Sequence, residues 1–240
     1  MKTVKKIAYF AGCTTNYIEP EIGRATVQVL KKNGFRPIFP DQKCCATPKK
    51  AYGDLGAFLK HAEFNVRSLS MVDCEIVSAC TSCALTIKRD YPGVLRGAEA
   101  ERIAQRTYDI MEYLVMLRDK NNLNTAFRHI DLNILYHAPC HLKVLGGGLV
   151  EARLKLLRLI PGISVTTCDR GCCGMGGTFG FKRSNYQMSM AIGKPIFEEI
   201  NRLSPDMVVT ECPTCKMQIE QGTSIQVMHP INIMKQAYGL

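Results

Sequence analysis

Cysteine is the residue type whose number and spacing in this 240-residue chain could do chemistry. Of the 12 cysteines, ten fall into two sets with the same order: one single cysteine, one adjacent pair and one CxxC motif. Thiolates are ligands for zinc and for iron–sulfur clusters, so two sets of five favour a metal centre in each half of the chain. The sets are Cys13, Cys44, Cys45, Cys80 and Cys83, and Cys140, Cys172, Cys173, Cys212 and Cys215.

The repeated order indicates that the chain is a tandem duplication. Cys13 and Cys140 are 127 residues apart, and Cys80 and Cys212 are 132 residues apart, so the two sets have nearly the same internal spacing. Similar segments surround the cysteines of both sets. They are IAYFAGC at 7–13 with ILYHAPC at 134–140, and EIVSACTSC at 75–83 with MVVTECPTC at 207–215.

Short apolar runs alternate with amphipathic segments in both halves, which predicts an α/β fold of two βαβαβ-type halves with parallel sheets. Each cysteine motif follows a predicted strand, so we expect the sites at the strand carboxyl ends, where open parallel sheets bind ligands. The predicted domains are 1–92 and 132–240, joined by a helical connector at 93–131. The predicted strands are 7–10, 35–39, 75–79, 134–136, 164–167 and 207–210, and the predicted helices are 22–32, 54–71, 98–120, 150–159 and 186–203.

Three kinds of cysteine chemistry have to be weighed against this spacing. A zinc ribbon places two CxxC motifs about 15–20 residues apart, whereas Cys80 and Cys212 open motifs that are 132 residues apart. A thioredoxin-like CxxC pair would leave three cysteines of each half unexplained. A cubane 4Fe–4S cluster takes four thiolates and leaves one over. The residues therefore favour iron–sulfur, and zinc and a redox disulfide stay open as alternatives.

The adjacent cysteines need a tight loop, because successive side chains of an extended segment point apart. In the second half, Gly174, Gly176 and Gly177 follow the pair, and we expect them to bring backbone amides close to the sulfurs of the cofactor site. The first half has Ala46 in the place of Gly174 and no such glycines. Ala46 costs little if its φ is negative and about 1 kcal/mol or more if its φ is positive. The second site is predicted to be the more robust one.

Few other residues compete for a chemical role. Cys74 is interpreted as a buried, inert thiol, and Cys168 as structural rather than a metal ligand. Two histidines beside Cys140 and one near the last residue are interpreted as bonded to backbone or placed around a cluster. These three are His137, His141 and His229, and the two interpreted as ordinary surface residues are His61 and His129.

Composition restricts the function classes. Apolar residues make up 46%, and no apolar run has the roughly 18 residues of a membrane span, so we expect a globular chain without one. The net charge of +10 would be offset by metal-bound thiolates, and the basic residues are dispersed, so we expect no nucleic-acid partner. The basic start resembles a signal peptide, but Glu19 and Glu21 follow soon after it, and we expect a cytoplasmic location.

The double C…CC…CxxC pattern, with CCG at 172–174, resembles the cysteine-rich CCG-domain family. That family includes the B subunit of heterodisulfide reductase, the lactate-utilisation iron–sulfur protein A and the C subunit of anaerobic glycerol-3-phosphate dehydrogenase. The second half, from YHAPCH through CCGMGGTFGFKRSNY to ECPTCKMQIE, is most similar to the last of these. The resemblance implies that the five cysteines of a complete motif hold a 4Fe–4S cluster of non-cubane type, which accounts for the surplus ligand. It also implies that the first motif holds such a cluster, zinc or nothing.

The same resemblance implies a function in electron transfer. The chain would be a non-autonomous iron–sulfur subunit of an oxidoreductase in anaerobic respiration, peripheral at the inner membrane face. It would pass electrons from a flavin dehydrogenase or ferredoxin-like partner to a quinone. The alternatives are a subunit that reduces a disulfide at its cluster and a zinc-stabilised module without redox activity. No C-x₂-C-x₂-C-x₃-C run is present, so we expect a separate subunit to deliver the electrons.

Overall fold

The structure is a computed structural model that describes residues 4–146 and 148–240. It consists of two compact units, of which the first ends at Asn124 and the second begins at Thr125. Each unit contains a four-stranded sheet whose paired strands are all parallel. The predicted α/β class, with duplicated halves and parallel sheets, is confirmed.

The first unit alternates strands and helices along the chain. Its elements are β1 (Lys5–Phe10), α1 (Gly12–Tyr17), α2 (Pro20–Lys32), β2 (Phe35–Ile38), α3 (Thr47–Ala51), α4 (Leu55–Ser70), β3 (Ile76–Ser78), α5 (Thr81–Leu85), a π-helical turn (Thr86–Asp90), α6 (Tyr91–Leu95), α7 (Ala98–Gln105), β4 (Thr107–Asp109) and α8 (Ile110–Asp119). The strand order is β2–β1–β3–β4. All of β3 and the last four residues of β1 are buried, as expected for parallel strands that are covered on both faces.

The second unit repeats this arrangement. Its elements are β5 (Leu132–Tyr136), α9 (Cys140–Lys143), α10 (Leu149–Leu157), β6 (Ile163–Thr167), two 3₁₀ turns (Phe179–Phe181 and Arg183–Asn185), α11 (Tyr186–Leu203), β7 (Met207–Val209), α12 (Pro213–Thr223), β8 (Val227–Met228) and α13 (Pro230–Ala237). The strand order β6–β5–β7–β8 is the order of the first sheet, which is what a duplication predicts.

Local sequence explains where the main helices begin. Pro20 is the first residue of α2, a position at which its missing N–H has no intrahelical partner to lose. The Asp54 carboxylate accepts a hydrogen bond from Ala57 N at 3.1 Å and starts α4. Asp109 and Glu112 form a reciprocal capping box at the start of α8.

The prediction of a single helix at 98–120 is wrong. Helix α7 ends at Gln105, and β4 follows because Thr107 pairs with Ile76 of β3 as the fourth strand of the first sheet. The capping box of Asp109 then starts a new helix, which explains why one amphipathic segment is two helices. The segment 93–131, predicted as a helical connector, thus contributes a strand to the first unit. Strand β8 was also missed, because a strand of two residues has no detectable alternation.

Candidate thiolate sites

In the first unit, three neighbouring parallel strands end just before the three cysteine motifs. Strand β1 leads into α1, which carries Cys13, and β3 leads into Cys80, the N-cap residue of α5. The adjacent pair lies in the loop between β2 and α3. The carboxyl ends of parallel strands lie at one edge of a sheet, so motifs that are distant in sequence meet there.

Direct contacts join all five cysteines of the first set. Cys13 Sγ lies 3.7 Å from Cys44 Sγ, and Cys45 Sγ lies 3.3 Å from Cys83 Sγ. The side chains of Cys44 and Cys45 also interact, as do those of Cys83 and Cys80. None of the five forms a disulfide, so all are available as ligands.

In the second set, direct contacts join four of the five cysteines. Cys173 Sγ lies 3.3 Å from Cys215 Sγ, and these two interact with Cys172 and Cys212 respectively. Cys140 is joined to Cys212 and Cys173 through electrostatic interaction. All five are free thiols. In both units the single cysteine is exposed and the last cysteine of the CxxC motif is buried.

Backbone amides approach the sulfurs in both units. Gly174 N donates to Cys172 Sγ at 3.4 Å, and Ala46 N donates to Cys44 Sγ at the same distance of 3.4 Å. Ala46 therefore supplies the amide contact that was expected only from the glycine-rich loop. Gly176 and Gly177 have positive φ values of 55° and 68°, and they shape the turn beyond this contact.

Hydrogen bonds between thiols separate the pKa values within each set. Those from Cys172 and Cys215 lower the pKa of Cys173 to about 3. The pKa of Cys45 is likewise lowered, by its neighbour in the pair and by Cys83. Metal ligation requires thiolates. These contacts therefore favour the thiolate form of the second cysteine of each pair.

The loop that carries the adjacent pair Cys44 and Cys45, here called the pair loop, is held in the first unit by polar side chains. The amide of buried Asn65 accepts from Lys43 N at 2.8 Å and donates to Cys44 O at 3.3 Å and to the Tyr91 hydroxyl at 2.9 Å. The Tyr91 hydroxyl in turn donates to Cys45 O at 3.1 Å. His61 Nδ1 lies 2.9 Å from Cys44 O. The prediction that His61 is an ordinary surface residue is therefore wrong.

Close packing of α11 holds the pair loop of the second unit. A Cβ atom on Gly174, whose φ is 93°, would overlap the carbonyl oxygen of Ser189, and one on Gly193 would overlap that of Cys173. The Ser189 hydroxyl donates to Gly174 O at 2.9 Å and accepts from Gln218 Nε2 at 2.9 Å. The second loop is fixed by backbone proximity rather than by long polar side chains.

A buried charged network lies beside Cys212 in the second unit. The Tyr136 hydroxyl donates to the Glu211 carboxylate at 2.7 Å, and Arg153 Nε donates to it at 3.0 Å. All three residues are at most 1% exposed. Sequence reasoning missed this network, although a glutamate directly before the CxxC motif, where the first half has Ala79, was a detectable signal.

The remaining cysteines and histidines lie as follows. Cys168 is buried in the apolar core of the second unit, and Cys74 packs, half-buried, against that of the first. His229 Nδ1 accepts from Ile231 N at 3.0 Å and starts α13, which confirms its backbone role. His137 is buried beside Cys173, and its Nδ1 atom has no hydrogen-bond partner in the described part of the chain. That unpaired atom and the five-thiol donor set fit a cluster that offers acceptor or ligand sites at this edge.

The chain belongs to the family of the cysteine-rich domain with the CCG motif. The family model matches residues 7–88 and 134–220, which contain all ten cysteines of the two sets. The two matched segments are the two halves of the duplication. The predicted resemblance to this family is confirmed.

Relatives of known name are iron–sulfur proteins and subunits of oxidoreductases. The chain is 34% identical to the C subunit of anaerobic glycerol-3-phosphate dehydrogenase from Escherichia coli (strain K12), over 97% of this chain and 59% of that protein. It is 32% identical to the B subunit of fumarate reductase (CoM/CoB) from Methanothermobacter marburgensis, over 97% of this chain and 46% of that protein. It is 26% identical to an uncharacterised iron–sulfur protein of Methanocaldococcus jannaschii, over 90% of this chain and 41% of that protein.

The chain spans about half the length of these relatives. Within the described residues, no helix combines the length and the hydropathy that crossing a bilayer requires. The shared family supports an iron–sulfur cofactor and a role connected with oxidoreductases.

Proposed function

We propose that the chain is an iron–sulfur electron-transfer subunit of an oxidoreductase complex. It receives electrons from a flavin dehydrogenase or a ferredoxin-like partner and passes them to a quinone. Its location is cytoplasmic and peripheral at the inner membrane face. The observation that carries this proposal is the convergence of five free thiols at the strand carboxyl ends of each unit.

The proposed ligands are the ten cysteines of the two sets, and each set holds one 4Fe–4S cluster. When bound, such a cluster supplies one-electron redox chemistry. The protein provides the thiolates, led by Cys45 and Cys173, and the amide donors of Ala46 and Gly174. Amide hydrogen bonds to sulfur and burial are the features by which a protein tunes such a group.

A zinc-stabilised module is one alternative, and the number of thiols in each set supports the cluster over it. A structural zinc ion takes four ligands around one centre, whereas each set brings five free thiols to one edge of its sheet. A cluster distributes its thiolates over several irons.

Metal analysis of the full chain, purified and reconstituted without oxygen, tests the proposal. We expect about four irons and four acid-labile sulfides per site, with an EPR signal after one-electron reduction. Zinc in place of iron and sulfide would sink the proposal.

Two substitutions separate the sites. Cys173→Ser should remove the iron of the second site and abolish electron transfer, whereas Cys45→Ser should leave the second site assembled. Cys168→Ser and Cys74→Ser, outside both sets, are the controls and should retain the iron of both sites. If either Cys45→Ser or Cys173→Ser emptied both sites equally, the sites would be coupled and the ranking of the second site as the more robust one would be contradicted.

A further inference from the structure

We propose that a cavity in the first unit, between α1, α2 and the end of β2, binds the ring of a quinone. This inference rests on the proposed function, in which a quinone is the electron acceptor. The cavity has a volume of about 440 Å³, within the range of sites that bind small molecules. Its walls include Tyr9, Thr15, Asn16, Gly23, Phe39 and Gln42.

Two buried hydroxyl groups of the cavity wall, those of Tyr9 and Thr15, lie near each other without forming a hydrogen bond of good geometry. Tyr9 and Thr15 are 2% and 3% exposed, and among the described residues neither hydroxyl has a partner in hydrogen-bond geometry. The hydroxyl groups nearest to that of Tyr9 belong to Thr15 and Thr26, and the Thr26 hydroxyl donates to Ile22 O at 2.7 Å. Leaving a buried hydroxyl unpaired costs free energy, which a ligand that accepts a hydrogen bond would recover.

The rest of the lining selects a neutral, flat ligand. The ring of Phe39 meets that of Tyr9 edge to face, at 6.1 Å between centroids. Arg24 is the one charged residue among the described residues of the wall, and its guanidinium pairs with the Glu21 carboxylate. This ion pair is exposed, so the described wall holds no buried charge that would favour an anionic ligand. A quinone is neutral and carries carbonyl oxygens that accept hydrogen bonds.

The mouth of the cavity suits an apolar tail. Phe39, in the wall, is 62% exposed and gives the opening of the cavity an apolar side. Respiratory quinones carry an isoprenoid chain on the ring, which would contact this side chain.

The cavity adjoins the first thiolate site. The Gln42 side chain accepts from Gly12 N at 3.3 Å and donates to Tyr9 O at 3.3 Å. Both Gln42 and Asn16 also line a second cleft, of about 350 Å³, that contains Cys13. One shared wall therefore separates the proposed ring site from the first cysteine set, which is the placement that an electron acceptor requires.

The equivalent residues of the second unit are different. At the 127-residue offset that relates Cys13 to Cys140, Tyr9 corresponds to Tyr136 and Thr15 to buried Leu142. The Tyr136 hydroxyl is occupied by Glu211, whereas the Tyr9 hydroxyl is left unpaired. Among the described residues, the state of this tyrosine hydroxyl is thus a feature in which the two units differ, rather than a property of the fold.

Gly23 allows α2 to pack closely against Thr15 and Tyr9 of the cavity wall. A glycine inside a helix such as α2 is unfavourable, so its presence calls for a reason in the packing. A Cβ atom there would lie 2.9 Å from the Thr15 methyl group and 3.5 Å from the Tyr9 hydroxyl oxygen. A larger side chain at this position would push Thr15 and the Tyr9 hydroxyl out of their places in the proposed site.

Equilibrium dialysis of the anaerobically purified full chain against 2,3-dimethyl-1,4-naphthoquinone tests the proposal. This probe has no free position on its quinone ring at which a cysteine thiol could add. We expect one quinone per chain, and Gly23→Val should weaken binding about tenfold or more. Gly56→Val is the matched control, because Gly56 is also helical and a Cβ atom there meets nothing within 4 Å. Should Gly23→Val not fold, Tyr9→Phe removes only the hydroxyl and should weaken binding about fivefold.

The same samples are analysed for iron and sulfide, which keeps the two proposals apart. If the clusters are present and no quinone binds, or if Gly23→Val and Tyr9→Phe bind as tightly as Gly56→Val, the cavity proposal is overturned and the proposed function stands. If diethyl disulfide binds in the cavity in preference to the quinone, the quinone assignment is likewise overturned. If the quinone binds to samples that cannot be loaded with iron and sulfide, the cavity proposal stands and the proposed function falls.

Discussion

The two units place equivalent cysteine pairs in equivalent loops but hold those loops by different means. In the first unit, the side chains of Asn65, Tyr91 and His61 bind the main chain of the pair. In the second unit, α11 packs so closely that Gly174 and Gly193 have no room for a Cβ atom. The difference shows that one thiolate geometry can be stabilised either by polar clamps or by backbone contact.

Ala46 and Gly174 show which residue each way of holding the loop can accept after the cysteine pair. Both have a left-handed φ, of 65° and 93° respectively, and both donate an amide hydrogen bond to the first sulfur of the pair. The first loop accommodates the methyl group of Ala46 in its core, at a backbone strain of about 1 kcal/mol. The second cannot accept a methyl group, because the Ser189 carbonyl occupies that space.

The largest effect is expected from Gly174→Ala. The new Cβ atom would overlap Ser189 O at a left-handed φ, so we expect a loss of more than about 4 kcal/mol in the free energy of unfolding of the second unit. The reverse change, Ala46→Gly, should alter the first unit by about 1 kcal/mol or less, because relief of strain is offset by the greater entropy of the unfolded chain. Denaturant unfolding measures both. Similar costs at the two positions would contradict the distinction between the loops.

The next effect concerns the buried network of the second unit. Glu211→Ala leaves Arg153 buried without its carboxylate, and we expect a loss of about 3–5 kcal/mol. The double variant Glu211→Ala/Arg153→Thr has the residues that occupy the equivalent positions of the first unit, Ala79 and Thr26. Its loss of unfolding free energy should be smaller than that of Glu211→Ala alone. A double-mutant cycle on unfolding free energies measures the coupling. Additive costs would show that the pair is not a unit.

A smaller effect is expected from removing a single polar clamp. Asn65→Ala breaks the hydrogen bonds to the Lys43 and Cys44 backbone and to Tyr91, and we expect a loss of about 3 kcal/mol in the first unit. Ser189→Ala removes one side-chain hydrogen bond to the second loop, whose close backbone packing persists. We expect it to lower the free energy of unfolding by about 1–2 kcal/mol. Equal losses would mean that the second loop depends on side-chain hydrogen bonds as much as the first.

The positions of the cysteines could be predicted from the sequence because the order of parallel strands makes them converge. Each of the three cysteine motifs directly follows a parallel strand. Cys13, Cys80 and the adjacent pair must therefore lie at the same edge of the sheet, whatever the detailed packing is. The φ of Ala46 could only be stated as two alternatives, because an alanine does not report its own backbone conformation.

The supports of the loops could not be predicted, because their roles depend on contacts between distant elements. Asn65 lies within an apolar helix pattern, and nothing in its neighbours shows that it contacts the backbone of residues 43 and 44, about 20 positions earlier. Arg153 and Glu211 are 58 positions apart, and in the sequence each would be interpreted as a charged surface residue. Only the fold brings them into contact. Strand β4 was hidden by the helical pattern around it.

The smallest effect is expected from a matched pair of hydroxyl deletions. Tyr136→Phe breaks the bond from the tyrosine to the buried Glu211 carboxylate and should cost about 1.5–2 kcal/mol in the second unit, since hydrogen bonds to charged groups are among the stronger ones. Tyr9→Phe removes a buried hydroxyl that has no hydrogen-bond partner among the described residues, so the free energy of unfolding of the first unit should stay unchanged or rise slightly. Thermal and denaturant unfolding without added quinone measure both changes. A loss for Tyr9→Phe as large as that for Tyr136→Phe would show that the Tyr9 hydroxyl is already satisfied within the protein, and the reason for a ligand in its cavity would disappear.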